Sequence, residues 1–252
     1  MVFKFCERMK LLDIMYLNYR IKQIRESEKK SHIEMYSNEE LYKSDSWLKK
    51  PIKTVKELIP LFCDYKRLRV LDLGCGVGRN SIPIAYEYKD IACSIDCVDI
   101  LDLAIEKLYI NAREYDVQSN ICGIVNTIEA FIVKEKYYDF IMAVSSLEHV
   151  ESESSFVKKL EEIKDGMNKN GIVCLVVNSN VQEHDKATGK SMPAQFEVNL
   201  PTEEMQSILN KMFEGWMVLK TTVSEQQYDI PREHGVSELT TSVVTFVARK
   251  EE

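Results

Sequence analysis

A glycine-rich turn between a strand and a helix constrains this 252-residue chain more than any other feature of its sequence. Residues 68–73 are rich in Val and Leu and are predicted to form a strand, residues 74–78 a tight turn, and residues 80–88 a helix. Glycine lets the backbone approach a bound molecule closely because it has no Cβ, and the first turn of a helix offers unpaired N–H groups. The segment therefore predicts a binding element for a nucleotide-like ligand.

The segments that follow the turn alternate between strand and helix. Strands are predicted at residues 91–98, 121–125, 139–144 and 172–178, and helices at about residues 103–115 and 154–168. This alternation predicts a parallel sheet that helices cover on both faces. The chain ends differently, because no helical segment separates the β-rich residues 216–223 from the β-rich residues 239–248. Without a crossover helix, these two stretches are predicted to pair antiparallel.

The spacing of the turn narrows the class of ligand. The dinucleotide fingerprint GxGxxG would place a third glycine where this chain has Arg79, and no GK[ST] follows for a phosphate-binding loop. The strand before the turn ends in Asp72, whose carboxylate suits the cationic amino group of a ligand, directly or through water. S-adenosylmethionine (SAM) carries such an amino group, a carboxylate and a sulfonium but no phosphate, and it fits this pattern.

A second acidic residue stands where the next predicted strand ends. Asp99 lies 21 residues beyond Gly78, and the carboxyl ends of adjacent strands meet at the ligand crevice of a doubly wound sheet. Its carboxylate is predicted to accept hydrogen bonds from both ribose hydroxyls, with Ile100 against the adenine. Asp96 competes for this role but falls inside the strand. The alternative for Asp99 is that it caps the helix that begins near Asp102.

Two segments carry a resemblance to a known family. Residues 70–81, VLDLGCGVGRNS, resemble motif I of the class I SAM-dependent methyltransferases, and their GRNS ending is similar to the tellurite-resistance methyltransferase branch. Residues 138–150, YDFIMAVSSLEHV, resemble the fourth-strand motif of the same superfamily, and the tail also resembles that branch. The resemblance implies an α/β fold: a Rossmann-like seven-stranded sheet in the order 3-2-1-4-5-7-6, with the last strand antiparallel and helices on both faces.

The resemblance, which extends over roughly residues 45–250, also implies how the chain is divided. Residues 46–252 are expected to form a SAM-binding methyltransferase domain, and residues 1–45 an N-terminal helical extension. Residues 3–29 contain no Gly or Pro and are predicted as one amphipathic helix, whereas the polar residues 30–50 are predicted as a loop or short helix. The long helix is free to pack on the domain or on a partner subunit, so a homodimer formed through it is also considered.

Contacts with SAM follow from the resemblance residue by residue. The methionine end is expected to lie against Asp72, Gly74, Cys75 and Gly76, and the ribose against Asp99. The adenine edge is expected at Asn126, Thr127 and Ile128, and the methionine and sulfonium channel at Ala143, Val144 and Leu147. Many members of the family have Asp at the position of Asn126. Trp47 is expected to cover SAM or the acceptor, and its alternative is a core aromatic residue.

Histidines are the candidates for acid–base chemistry. Methyl transfer is an in-line displacement that needs alignment and exclusion of water, and an oxygen or nitrogen acceptor also needs a base. His149 follows the fourth strand, and His234 lies with Arg232 between the last two strands, so both histidines are candidate catalytic residues. His32 and His184 stand in polar segments and are predicted at the surface. A lid at residues 182–195 and a loop at residues 228–235 are predicted to shape the acceptor pocket.

Composition bears on the expected partners and location. A formal net charge of −7 provides no general attraction to nucleic acid or to an anionic membrane, and it favours a small-molecule acceptor. Seven scattered cysteines without a CxxC motif predict neither a metal site nor a disulfide framework, and they suit a reducing cytosol. No segment is predicted as a signal peptide or a membrane span, so a cytoplasmic location is expected.

Two other classes of protein remain as alternatives. The first is a SAM-binding regulatory or partner protein that does not transfer methyl groups, and the long N-terminal helix supports it as an interaction element. The second is a nicotinamide-dependent oxidoreductase. Arg79, in place of the third glycine, and the antiparallel tail both disfavour that second class.

Overall fold

A computed structural model describes residues 2–232 and 235–251 of the chain, and for residues 2–18 only the path of the helix. Short 3-10 helices lie at Ile59–Phe62, Gln118–Asn120 and Leu147–His149, and the last of them carries His149. The helices are α1 (Val2–Asn38), α2 (Lys53–Leu58), α3 (Ser81–Glu87), α4 (Asp102–Glu114), α5 (Glu153–Gly166) and α6 (Thr202–Met212). The strands are β1 (Arg67–Leu73), β2 (Ala92–Asp99), β3 (Ile121–Val125), β4 (Tyr138–Val144), β5 (Met167–Asp185), β6 (Ser191–Met192), β7 (Met217–Arg232) and β8 (Gly235–Arg249).

The strands form one sheet in the order β3-β2-β1-β4-β5-β8-β7, and the two-residue β6 pairs with the end of β5. Strands β1 to β5 pair in parallel. Strand β8 runs antiparallel to both of its neighbours, β5 and β7. If the short β6 is not counted, β7 and β8 become the sixth and seventh strands. The order is then 3-2-1-4-5-7-6 with an antiparallel last strand, which confirms the predicted fold class.

Each face of the sheet carries its own hydrophobic core because side chains alternate along a strand. One core joins Val70 and Phe140 to α2, α3 and α4. The other core joins Leu71 and Ile141 to α5 and α6. Helices therefore cover both faces, as predicted, and the carboxyl ends of β1, β2, β4 and β5 open at one edge of the sheet.

The strands at the antiparallel end are longer than predicted. The sequence predicted strands over residues 172–178, 216–223 and 239–248, whereas β5 has 19 residues, β7 has 16 and β8 has 15. Most of β7 is exposed, and its second half is polar. It therefore lacks the alternation of apolar and polar residues by which a half-buried strand is predicted. The predicted lid and loop are therefore wrong in part, since residues 182–185 and 228–232 continue β5 and β7 as paired strands.

The N-terminal helix is also longer than predicted and docks on the domain. It continues through the polar residues to Asn38, because its last turns pack on the sheet domain, where Tyr36 joins Leu48, Val77 and Leu101 in a small apolar cluster. The predicted boundary near residue 45 falls after this helix and before α2. In the described ranges, no helix is both long and apolar enough to cross a bilayer. A homodimer through α1 stays a prediction.

Candidate active site

A cavity of about 820 Å³ opens at the carboxyl ends of the parallel strands. Its volume is within the range of small-molecule and cofactor sites. One wall, called here the sheet wall, is formed by the glycine-rich turn, by Asp99 and by the residues that follow β3 and β4. The facing wall, called the helix wall, is formed by one side of α1 together with Glu197. Trp47 and Tyr228 lie at the cavity as well.

The backbone of the turn requires glycine at its centre. Gly74 and Gly76 have φ angles of +78° and +52°, in the left-handed region. A Cβ on Gly74 would lie 2.3 Å from the Cβ of Ser146, which is too close for any side chain. The N–H groups of Gly74 and Cys75 both donate to the carbonyl of Val98, at 2.8 and 3.0 Å, which ties the turn to β2. Gly74, Cys75 and Gly76 line the cavity, with Ser146 packed against Gly74 and the hydroxyl of Tyr36 against Gly76.

Asp99 lies at the end of β2 and lines the cavity. One carboxylate oxygen accepts a hydrogen bond from the N–H of Gly76 and the other from the N–H of Leu101, each at 2.9 Å. Burial raises the pKa of Asp99, while these amide hydrogen bonds oppose the rise. Each oxygen has a second lone pair for a ligand hydroxyl. The N-cap residue of α4 is Leu101, whose own side chain forms no capping bond, so the bond from its N–H to Asp99 also places Asp99 at the start of that helix, beside the cavity.

Asp72 supports the turn from beneath the cavity. Its side chain is 1% exposed and accepts a hydrogen bond from the hydroxyl of Ser81, the first residue of α3. Burial raises the pKa of Asp72 to about 7, and the charge of Asp99 adds to the rise. Asp72 does not belong to the cavity lining. Its carboxylate therefore stabilises the turn, through its bond to the start of α3.

The structure brings most, but not all, of the other predicted cofactor residues to the cavity. Those in its lining are Trp47, Cys75, Ile100, Thr127, Ile128 and Val144. Ala143 and Leu147 are fully buried in the core beneath it. The side chain of Asn126 turns back to accept a hydrogen bond from the N–H of Thr127 at 2.9 Å. The competing acid Asp96 accepts hydrogen bonds from Tyr138 and Lys134.

Trp47 is placed by Arg79, the residue that replaces the third glycine. The Arg79 guanidinium lies over the Trp47 ring at 5.1 Å from its centre, and its Nε donates to the carbonyl of Lys50 at 2.7 Å. Trp47 is 47% exposed, so the alternative of a core aromatic residue is wrong. Arg79 thus fastens the segment before α2 to the glycine-rich turn, and both side chains line the cavity.

His149, the predicted base, lies in the cavity and is paired with a carboxylate. Its Nδ1 is 3.0 Å from Oε2 of Glu197, and its ring stacks on Phe196 with 5.0 Å between the ring centres. Burial favours the neutral ring, but the bond to Glu197 and the charges of Glu148 and Glu28 outweigh it and raise the pKa of His149 to about 9. The ring is therefore an imidazolium at neutral pH, and it becomes a base when it loses that proton.

The other candidates for acid–base chemistry are placed differently from the predictions. His234 lies outside the described residues. Arg232 was predicted near the acceptor, but its side chain is only 4% exposed and forms a two-pronged ion pair with Glu183, at 2.8 and 3.1 Å. This pair fastens β7 to β5, and Arg232 does not line the cavity. His32 was predicted at the surface but lines the cavity, whereas His184 lies on β5 away from it.

The helix wall was not predicted from the sequence. Arg25, Glu28, His32 and Tyr36 follow one another at intervals of three or four residues, so they share one side of α1, and all four line the cavity. Burial raises the pKa of Tyr36, as does the nearby charge of Asp99, so its phenol stays neutral. The regular spacing of these polar side chains was the available sequence signal, although it equally fits a solvated helix face. Among the described residues, no group of His, Cys, Asp or Glu is arranged to hold a metal ion.

Known proteins resemble part of this chain in sequence. Residues 70–171 match the model of a family described as Methyltransferase domain. The chain is 31% identical over 110 residues to the ubiquinone biosynthesis O-methyltransferase of Rickettsia typhi, an alignment that includes 43% of this chain and 42% of that protein. The chain thus spans less than half the length of this curated relative.

Solved structures are similar over a larger part of the chain. TehB from Haemophilus influenzae aligns with a TM-score of 0.56 and 20% identity, over 78% of this chain and 62% of that protein. The [4+2]-cyclase SpnF aligns with a TM-score of 0.53 and 15% identity, over 79% of this chain and 81% of that protein. At these identities the likeness concerns the fold.

Proposed function

We propose that this chain, which carries a class I SAM-dependent methyltransferase domain, transfers the methyl group of SAM to a small-molecule acceptor and releases S-adenosylhomocysteine (SAH). The observation that carries the proposal is the cavity, which is lined side by side by Gly74 and Gly76 of the turn and by Asp99. A nucleoside joined to an amino acid needs that combination: backbone for close approach, and an acid for the ribose. The matched family supports the same conclusion.

The residues present fit SAM by size and chemistry. A cavity of about 820 Å³ accommodates a ligand of its size. The methionine end lies against the turn at Gly74 and Gly76, Asp99 accepts from the ribose hydroxyls, and Ile100 and Ile128 offer apolar surface to the adenine. When bound, SAM supplies a methyl group on a sulfonium that is already activated for displacement. The protein then aligns the acceptor and excludes water.

An oxygen atom is the acceptor atom that we favour. The curated relative is named as an O-methyltransferase, and a hydroxyl acceptor must lose its proton as the new bond forms. His149 lies in the same cavity, with its Nδ1 held by Glu197, which leaves Nε2 as the nitrogen for the acceptor. The cavity of about 820 Å³ and the net charge of −7 support a small acceptor over a nucleic acid.

Calorimetry with SAH tests the cofactor part of the proposal. Wild-type protein is expected to bind SAH, and Asp99→Asn to bind it about tenfold or more weakly, because an amide offers one acceptor oxygen where the carboxylate offers two. Asp90→Asn is the matched control, since Asp90 lies exposed before the other end of β2. Folded wild-type protein that binds no SAH would contradict the proposal, as would equal losses in the two variants.

A turnover measurement separates methyl transfer from SAM binding alone. The likeness to SpnF, which is named a cyclase, means that the fold by itself does not decide for transfer. SAH formation is measured with SAM and a panel of phenols, carboxylic acids and amines. Acceptor-dependent SAH formation supports the proposal. SAH binding without turnover over the whole panel would instead favour a SAM-binding regulatory or partner protein.

A further inference from the structure

We infer that Arg25 of α1 is a positioning residue for His149, and that it acts through the carboxylate of Glu197, which the two side chains share. The inference rests on the proposed function, because it concerns the histidine that faces the acceptor. Its physical basis is a continuous set of contacts from the helix wall to the sheet wall.

Glu197 connects the two side chains with its two oxygens. Its Oε1 is 3.4 Å from Nε of Arg25, and its Oε2 is 3.0 Å from Nδ1 of His149. The Glu197 side chain is only 1% exposed. A carboxylate so deeply buried is costly unless it is paired with charge and hydrogen bonds. The Arg25 guanidinium supplies that positive charge at Oε1, while Oε2 stays bonded to Nδ1 of His149.

Further contacts hold the same arrangement from α1. Nη2 of Arg25 also donates to Glu129, the residue next to Ile128 in the predicted adenine region, at 2.5 Å. Nη2 of Arg20 donates to the carbonyl of Phe196 at 3.2 Å, and the Phe196 ring stacks on His149 at an angle of 28°. Residues 196–197 therefore lie clamped between α1 and the 3-10 turn that carries His149. Contacts with α1 fix both the face of the ring and its Nδ1.

The charges around His149 give Arg25 an effect that a purely structural contact would not have. The ring is faced by Glu148 from its own turn, by Glu28 from α1 and by Glu197, all of which favour the imidazolium. Arg25 brings a positive charge to Glu197 and so reduces the negative potential at the ring. We therefore expect Arg25 to keep the His149 pKa lower than the carboxylates alone would set it, so that the ring reaches its neutral, basic form at a lower pH.

Histidine NMR on the full chain tests this directly. The protein has four histidines, and the His149 signal is assigned by its loss in His149→Asn. Arg25→Gln is expected to raise the His149 pKa by about 0.5 or more, which is a threefold or larger change in proton affinity. Arg25→Lys, which keeps the charge, is expected to return the pKa most of the way to that of the wild type.

Lys22→Gln is the matched control, because Lys22 lies one turn earlier on α1 and pairs with Glu26 rather than with Glu197. Circular dichroism checks that each variant is folded, and each titration is repeated with SAH. A His149 titration that Arg25→Gln leaves unmoved, or that Lys22→Gln moves equally, overturns the inference. Failure of the proposed function is distinct from this result, since it appears as absent SAH binding while the His149 titration is still measured.

Discussion

The two walls of the cavity come from parts of the chain with very different sequence separation. The sheet wall is centred on β1, the glycine-rich turn and the end of β2, which are neighbours along the chain and in the sheet, and the residues after β3 and β4 complete it. The helix wall joins Arg25 to Glu129 and to Glu197, which are 104 and 172 residues away in sequence. A local motif defines the first wall, whereas the second exists only when distant segments meet.

The two walls also differ in what stabilises them. Backbone geometry and close packing hold the sheet wall, since Gly74 has no room for a Cβ and Leu73 is fully buried. Ion pairs and hydrogen bonds between partly exposed side chains hold much of the helix wall. Contacts of that kind contribute less free energy each than buried packing does. Substitutions in the sheet wall should therefore destabilise the protein more, and the helix wall should open more easily.

The largest effect is expected for Gly74→Ala in the sheet wall. The new Cβ would lie 2.3 Å from the Cβ of Ser146, and it would also hold a non-glycine residue at a φ of +78°. We expect a loss of about 3 kcal/mol or more in the free energy of unfolding, and loss of SAH binding. Urea denaturation and calorimetry measure the two quantities.

Gly189→Ala separates the clash from the backbone strain. Gly189 has a φ of +70°, and a Cβ there would meet no atom within 4 Å. This control is expected to cost about 1 kcal/mol, from the left-handed conformation alone. Equal losses in the two variants would show that packing against Ser146 does not hold the sheet wall.

The next effect concerns His149, which stands on the sheet side and takes charge partners from the helix wall. Its pKa of about 9 in the folded protein is above the ordinary value of 6.5. The imidazolium therefore contributes stability in full below pH 6.5 and loses that contribution as the pH rises through 9. We expect the charged ring to contribute roughly 2 kcal/mol to the free energy of unfolding, a value that is reduced for the partial exposure of the ring.

Urea denaturation of wild-type protein and His149→Asn at pH 6 and at pH 10 measures this contribution. The difference in unfolding free energy between the two proteins should be large at pH 6 and shrink by roughly 2 kcal/mol at pH 10. A difference that stays constant with pH would mean that His149 has no raised pKa. In that case the helix wall would not supply charge to the site.

Gly76→Ala tests the point where the two walls touch. A Cβ on Gly76 would lie 2.7 Å from the hydroxyl oxygen of Tyr36 on α1, but 3.4 Å from the ring carbon that carries it. We expect a loss of about 1.5 kcal/mol, part of it strain at a φ of +52° and part the clash with Tyr36.

Adding Tyr36→Phe removes the hydroxyl and should recover the part of that loss due to the clash. The same second substitution should recover nothing in Gly74→Ala, whose clash lies within the sheet wall. A double-mutant cycle of unfolding free energies measures both couplings. Equal recovery in the two backgrounds, or none in either, would contradict the position assigned to Tyr36.

The same difference in sequence separation explains how much could be predicted. The turn, the alternation of strands and helices and the position of Asp99 followed from glycine spacing and periodicity, because each depends on residues close together in sequence. The strand order followed from the resemblance. Glu197 could not be found that way, since its pairing with His149 depends on a chain path between β6 and α6 that no local pattern specifies. The length of β7 was missed because its exposed half is polar on both faces. Arg232 stood near a candidate histidine in sequence, yet its side chain pairs with Glu183.

The smallest effect is expected for Arg20→Gln, at the outer end of the helix wall. Its Nη2 donates to the carbonyl of Phe196 at 3.2 Å, across 176 residues of sequence. Loss of one partly buried, charge-assisted hydrogen bond should reduce stability by about 1 kcal/mol or less. The change should be local, because α1 can open without unfolding the sheet.

Amide hydrogen exchange by mass spectrometry distinguishes local opening from a global effect. In Arg20→Gln, peptides from residues 20–36 of α1 should exchange about fivefold faster, since about 1 kcal/mol changes an opening equilibrium by that factor. Peptides from β1 and β4 should exchange as in the wild type. Lys22→Gln is the control, because Lys22 is exposed and pairs within its own helix. Faster exchange in β1 as well as in α1 would show that the two walls open together, which would break the distinction between them.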